Sequence, residues 1–120
     1  MEKHIHEAAA QGSQLVVFGE ALVPGYPFWP ELTDGARFDS ALQKDIFAHY
    51  SAQSVDIDAG HLQAICRAAE RHSIAVYLGC IERAPDRGGQ SLYASLVYVA
   101  ASGVIGSVHR KLCPTYEERL

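Results

Sequence analysis

No apolar run in this sequence approaches the ~20 residues needed to cross a bilayer. The N-terminal stretch Met1-Glu2-Lys3-His4-Ile5-His6-Glu7 is polar and has no apolar signal core. Cysteine is scarce: Cys66, Cys80 and Cys113 make an odd count without a CxxC spacing, which argues against a disulfide framework or a structural zinc site. The expected setting is a reducing, cytoplasmic one. Positive charge is also short, with 10 Lys and Arg against 14 Asp and Glu and a formal charge of −4. That balance excludes a phosphate-tracking surface and argues against nucleic-acid binding. HExxH, GxGxxG, P-loop and GxSxG strings are all missing, which removes the zincin, dinucleotide, P-loop and ordinary serine-hydrolase readings. There is no internal repeat and no low-complexity segment.

What is present is an ordinary globular balance, 48% hydrophobic and 20% charged over 120 residues. A chain of this size buries roughly two-thirds of its unfolded surface, enough for one modest core in a single domain or part of one. Ile5, Ala8 and Ala9 share one face of an opening helix, and Gly12 stands where a C-terminal cap belongs. Leu15-Val16-Val17-Phe18 reads as a parallel strand covered on both faces, with Gly19-Glu20 at its C-terminal end. Three prolines and three aromatics make Val23 to Pro30 an irregular aromatic loop. Most of Thr33 to Ser54 is expected to be helical, with Leu42, Ile46, Phe47 and Tyr50 as its apolar stripe. A second helix is expected from Asp58 as N-cap, with Leu62, Ile65, Cys66 and Ala69 on one face. Ile74 to Gly79 reads as a buried strand, and Ala84 to Gln90 as a turn. Ser91 to Ala100 and Val104 to Arg110 read as an antiparallel hairpin about Ala101-Ser102-Gly103. The tail from Lys111 to Leu120 reads as a loop. The predicted architecture is α/β with a mixed β-sheet, in which two strands joined by helices pair in parallel.

Several side chains are candidates for chemistry. Glu20 ends a buried strand, where open α/β sheets place their sites, and apolar neighbours there are expected to desolvate it. The plain alternative is a capping carboxylate. In His109-Arg110-Lys111, alternation puts His109 and Lys111 on one face and Arg110 on the other. Lys111 there suits oxyanion stabilisation, against the alternative of a solvated strand end. Thr115-Tyr116-Glu117-Glu118-Arg119 reads by itself as a charged loop. Cys66 and Cys80 read as core, and Cys113 as a weak nucleophile candidate without a base fixed by spacing. His4 and His6 point to different faces, and His49, His61 and His72 read as surface positions on helices.

Two strings sharpen this reading. Leu15-Val16-Val17-Phe18-Gly19-Glu20-Ala21-Leu22-Val23-Pro24-Gly25-Tyr26-Pro27 resembles the first catalytic block of the nitrilase branch of the carbon–nitrogen hydrolases. His109-Arg110-Lys111-Leu112-Cys113-Pro114-Thr115-Tyr116-Glu117-Glu118-Arg119-Leu120 resembles the second block, and the order is the family's. The resemblance covers essentially all of residues 1–120. It implies the N-terminal half of a nitrilase-type αββα sandwich, that is, a partial carbon–nitrogen hydrolase domain over 1–120. It further implies a Cys-Glu-Lys triad in which Glu20 is the general base and Lys111 the catalytic lysine. Glu118 matches the second glutamate that helps hold the site, and Tyr26 is expected to line the substrate pocket. The implied reaction converts a nitrile to the carboxylic acid and ammonia through a Cys thioimidate. No cofactor is implied, since the chemistry needs only a thiol, a base, a cation and water.

The implied partners are a small-molecule nitrile or amide, with no nucleic acid or membrane, and further copies of the full-length chain in a homo-oligomer. The sequence reads Phe-Gly-Glu where many relatives have Phe-Pro-Glu. No cysteine stands in the family's Cys-Trp-Glu context, and the family's opening strand is not found. The isolated 120 residues are therefore expected to be inactive. The alternatives are an amidase or other carbon–nitrogen hydrolase, a catalytically dead fragment or pseudoenzyme, and a generic α/β ligand-binding module with a Glu20–Lys111 salt bridge.

Overall fold

The computed structural model describes residues 1–85, 88, 90–115 and 118. Its elements run α1 (Glu2–Ala10), β1 (Leu15–Val23), α2 (Trp29–Leu32), α3 (Ala41–Gln53), α4 (Gln63–His72), β2 (Ala75–Arg83), β3 (Leu92–Val99) and β4 (Ile105–Arg110). The strands form one sheet in the order β1-β2-β3-β4. β1 and β2 pair in parallel, while β2–β3 and β3–β4 are antiparallel. The mixed α/β sheet and the hairpin are therefore as the sequence pattern predicts. The expected turn over 84–90 is described only in part, because residues 86, 87 and 89 lie outside the described set.

Helix α1 forms where Ile5, Ala8 and Ala9 line up. It stops because Gly12 takes a left-handed φ of 82°. There the Gly12 N–H donates to Ala9 O and the Ser13 N–H to Ala8 O, which satisfies two carbonyls of the last turn. Helix α4 ends on Ser73, also left-handed at φ 49°, with Arg71 and His72 complementing the helix dipole in its last turn. The two helices pack together and bring the His6 and His72 rings to 4.9 Å. Beneath them Ile5, Leu62, Ile65 and Ala69 meet Val76, Leu78, Val97 and Val99 of the sheet in one buried core.

Several expectations need correction. First, β1 is not covered on both faces, since Leu15 is 47% and Val17 61% exposed. Helices α1 and α4 cover one side of the sheet, so in the first part of β1 the alternating residues Val16 and Phe18 pack against the core, as Val23 does after the bulge. Second, residues 33–40 are not helical. Asp34 and Asp39 both take positive φ of 53°, which interrupts any helix, and α3 starts only after Ser40. Leu42 is consequently exposed, while Ile46, Phe47 and Tyr50 are half-buried. The aromatic loop, expected to be irregular, instead holds the short helix α2 with Pro30 in its first turn. Third, Asp58 does not cap α4, which begins five residues later. The Asp56 carboxylate accepts from the Ala59 N–H at 2.9 Å, and His61 Nδ1 accepts from the Asp56 N–H at 3.0 Å. Those bonds hold 56–62 in turns, so His61 precedes the helix.

The strand β1 also runs past Glu20 rather than ending before it. Its register jumps from Phe18↔Leu78 to Val23↔Cys80, so the chain bulges outward between those pairs. Ala21 sits in the bulge with φ 51° and is buried. Where β1 leaves the ladder, Val55 takes its place on β2. The Val55 N–H donates to Ile81 O and the Arg83 N–H to Val55 O, each at 2.8 Å.

Gly79 makes the bulge possible. A β-carbon there would lie 2.7 Å from Glu20 Cα and overlap Gly19 O. The substitution Gly79→Ala is expected to lower stability by about 1–3 kcal/mol through overpacking. Urea unfolding, read as a midpoint shift at constant slope, checks this.

Candidate active site

The bulge in β1 aims Glu20 across the sheet end toward the residue that follows β4. Lys111 continues the β4 pairing by one residue, its N–H donating to Ala94 O at 2.8 Å. Its ammonium donates to Glu20 Oε1 and to Glu118 Oε2, both at 2.8 Å. The structure therefore brings together Glu20, Lys111 and Glu118. Glu117 and the rest of the second block, residues 116, 119 and 120, lie outside the described residues.

The two carboxylates sit in different settings. Glu118 is 4% and Glu20 56% exposed in the side chain, so the expected desolvation of Glu20 is not met within these residues. Burial pushes the Glu118 carboxyl up. Hydrogen bonds from Lys111, the Thr115 hydroxyl and the Thr115 N–H outweigh it and hold the group below its ordinary range. The Thr115 bonds are short, 2.5 Å from Oγ1 and 2.6 Å from the N–H. Glu118 Oε1 is buried with no hydrogen-bond partner among the described residues. Lys111 is pushed well above the usual lysine range by its bonds to Glu118 first and Glu20 second, so it is a fixed cation.

Beside this triplet lies an open cavity of about 510 Å³, lined by Glu20, Gly79, Ala94, Ser95, Leu96, His109, Lys111, Leu112 and Cys113. Tyr26, expected at a substrate pocket, does not line it, and its hydroxyl lies 2.7 Å from Thr115 Oγ1. Cys80 is fully buried, and burial followed by the nearby Glu82 pushes its thiol up to about 12. Cys66 is half-buried and raised by burial. Cys113 is exposed. No group of three or more His, Cys, Asp or Glu able to hold a metal occurs among the described residues, and none of their helices is long and apolar enough to cross a membrane.

Arg110 turns the other way from Lys111, as strand alternation requires. It grips Glu82 through two bonds, Nε to Oε2 at 3.0 Å and Nη2 to Oε1 at 2.8 Å. The Ser95 hydroxyl adds a third at 2.6 Å, and the Tyr93 ring lies 4.3 Å from the guanidinium. This anchor ties the end of β4 to β2 and so sets the height of Lys111 above Glu20. Sequence reading missed it. The available signal was a carboxylate inside the apolar β2 run, which needs a partner if it is to be buried.

Comparison with known proteins gives the site its context. A family model described as carbon-nitrogen hydrolase matches residues 1–120. The chain belongs to the carbon–nitrogen hydrolase family. Among sequence relatives, an arylacetonitrilase of Aspergillus niger is 36% identical over 115 residues, 96% of this chain and 31% of that protein. An aliphatic nitrilase of Rhodococcus rhodochrous is 37% identical over 119 residues, 96% of this chain and 29% of that protein. Nitrilase 2 of Arabidopsis thaliana is 32% identical over 117 residues, 98% and 33% of the two chains. The chain thus spans about a third of the length of the curated relatives it matches.

Among solved structures, the C. elegans NitFhit protein superposes with a TM-score of 0.63 at 16% identity, over 95% of this chain and 23% of that one. A carbon-nitrogen hydrolase from Helicobacter pylori G27 gives 0.53 at 18%, over 98% and 34%. These two confirm the fold.

The Glu82 anchor carries a pH dependence. Burial raises the Glu82 carboxyl, but the bonds from Arg110 and Ser95 prevail and set it below its ordinary 4.5. A carboxyl lower in the folded than in the unfolded state stabilises fully above the unfolded value, and that stabilisation is lost as pH falls through the folded one. Substituting Glu82→Gln is expected to cost about 1–3 kcal/mol at neutral pH. The difference between parent and variant should shrink as pH drops below 4.5. Denaturation curves collected from pH 7 to pH 3 test both the size and the sign.

Proposed function

We propose that this segment supplies two of the three catalytic side chains of a nitrilase-type hydrolase that converts a nitrile to the carboxylic acid and ammonia through a Cys thioimidate. The observation that carries the reading is the fixed Lys111 cation, held between one solvent-open and one buried carboxylate at the edge of a cavity. Membership of the carbon–nitrogen hydrolase family and the nitrilase names of its relatives support it.

The contrast between the carboxylates supports a division of their work. Glu20 faces the open side and takes the proton of the attacking thiol, since a thiol is a weak nucleophile until deprotonated. Sulfur bonds to the nitrile carbon, and one carbon–nitrogen π pair moves onto nitrogen. Lys111 donates a hydrogen bond to that nitrogen as it gains charge, and the proton held by Glu20 passes to it. Water adds to the thioimidate and ammonia leaves. A second water then releases the acid and restores the thiol. Glu118, buried and fully charged, holds the lysine where the charge develops rather than exchanging protons itself.

The nucleophile in this reading is a cysteine outside residues 1–120. Neither the fully buried Cys80 nor the half-buried Cys66 lines the cavity, and burial raises both thiols. Cys113 lines the cavity and is the one thiol here that a variant must test.

The test uses the protein carrying this segment together with the remainder of the hydrolase domain. Ammonia release is measured from arylaceto- and aliphatic nitriles and from the matching amides. Nitrile turnover is expected, with Lys111→Ala lowering kcat about 10²–10³-fold. Cys113→Ala should leave turnover unchanged, and its loss would move the nucleophile to Cys113. Turnover of amides alone would make the protein an amidase.

A further inference from the structure

We infer that Tyr26 is a positioning residue, acting through the Thr115 hydroxyl to hold Glu118 against Lys111. This rests on the catalytic reading of Lys111 given above. The direction of each hydrogen bond follows from donor count. An ionised carboxylate only accepts, so the single hydrogen of the Thr115 hydroxyl goes to Glu118 Oε2. At the 2.7 Å contact with Tyr26, Thr115 Oγ1 must then accept, and the phenol hydrogen is the one donated. The Tyr26 hydroxyl therefore has no hydrogen left to offer a substrate. Instead the bonds form a one-way chain from Tyr26 to Thr115 to Glu118, which receives Lys111 at the same oxygen.

The geometry around Tyr26 suits an anchor. Pro24 and Pro27 stiffen the loop on both sides. The Tyr50 hydroxyl donates to Gly25 O at 2.7 Å, one residue from Tyr26, and the Trp29 ring packs on Tyr50 at 4.5 Å between centroids. The Tyr26 ring itself rests against Phe28 at 4.8 Å. Glu118 follows β4 in sequence, and among the described residues Thr115 and Lys111 hold its carboxylate. Tyr26 thus links the loop after Glu20 to the loop after Lys111. Each bond in such a chain polarises and orients the next.

The experiment is a double-mutant cycle on the full-length enzyme, with kcat and KM measured for a nitrile substrate. Tyr26→Phe is expected to lower kcat about tenfold at unchanged KM, a modest misplacement on the scale where ~1 Å costs ~10²-fold. Thr115→Val should do at least as much. The double variant should be no worse than Thr115→Val alone, because Tyr26 acts through that hydroxyl. Thr115→Ser, which keeps the hydroxyl, should restore near-parent turnover. Additive losses from the two positions overturn the inference, as does an unchanged kcat in Tyr26→Phe. A raised KM with kcat intact makes Tyr26 a substrate contact instead. Lys111→Ala run alongside separates the two readings. Full turnover in that variant removes the catalytic assignment itself, whereas its loss beside an unaffected Tyr26→Phe removes only the relay.

Discussion

Everything in this site is arranged around one ammonium group held between two carboxylates. Two negative charges and one positive leave the triplet with a net negative charge. That arrangement, through the bonds to Glu118 first and Glu20 second, raises Lys111 well above the usual lysine range. A cation of this kind is of use only if it stays put while charge develops beside it, because preorganisation is the advantage a protein has over water. The fold supplies the constraint from two directions. A bulge in β1 delivers Glu20, and a strand end fastened by Arg110 and Glu82 delivers Lys111. Glu20 reaches the site only through that bulge, whereas Lys111 arrives by continuing the regular β3–β4 pairing one residue further.

The periodic elements were legible from residue spacing alone. Helices α1 and α4, the buried strand β2 and the β3–β4 hairpin follow from apolar patterns that the core then uses. The segment 33–40 was misread because a loosely apolar stretch looked helical, while Asp34 and Asp39 took left-handed conformations that only turn chemistry rewards. Burial was harder still. Whether Val17 or Glu20 is covered depends on surfaces that no local spacing describes, and both prove open in these residues.

The candidate site was legible as a resemblance and much less so from first principles. Glu20, Lys111 and Glu118 come together as the paired motifs imply, though by pattern alone each had an ordinary alternative. The supporting interactions were invisible. Nothing in the spacing of Tyr26 and Thr115 or of Glu82, Ser95 and Arg110 announces a contact, because each joins residues distant in sequence. Such links are a property of tertiary closure, and they decide whether a charged triplet is rigid or loose.

The hydrogen bond from Tyr50 to the Gly25 carbonyl has a consequence for how such a protein can vary. It closes residues 25–50 at the base, while Val55 returns the chain to the sheet. Everything between those ties, the short α2, the turns after it and most of α3, hangs from a clasp rather than from the charged triplet. Additions or deletions in that span leave the two ends of the clasp where they are. Beyond Trp29, the turns of residues 33–40 thus form a rim whose length can change at little cost in loop closure while the clasp holds its ends.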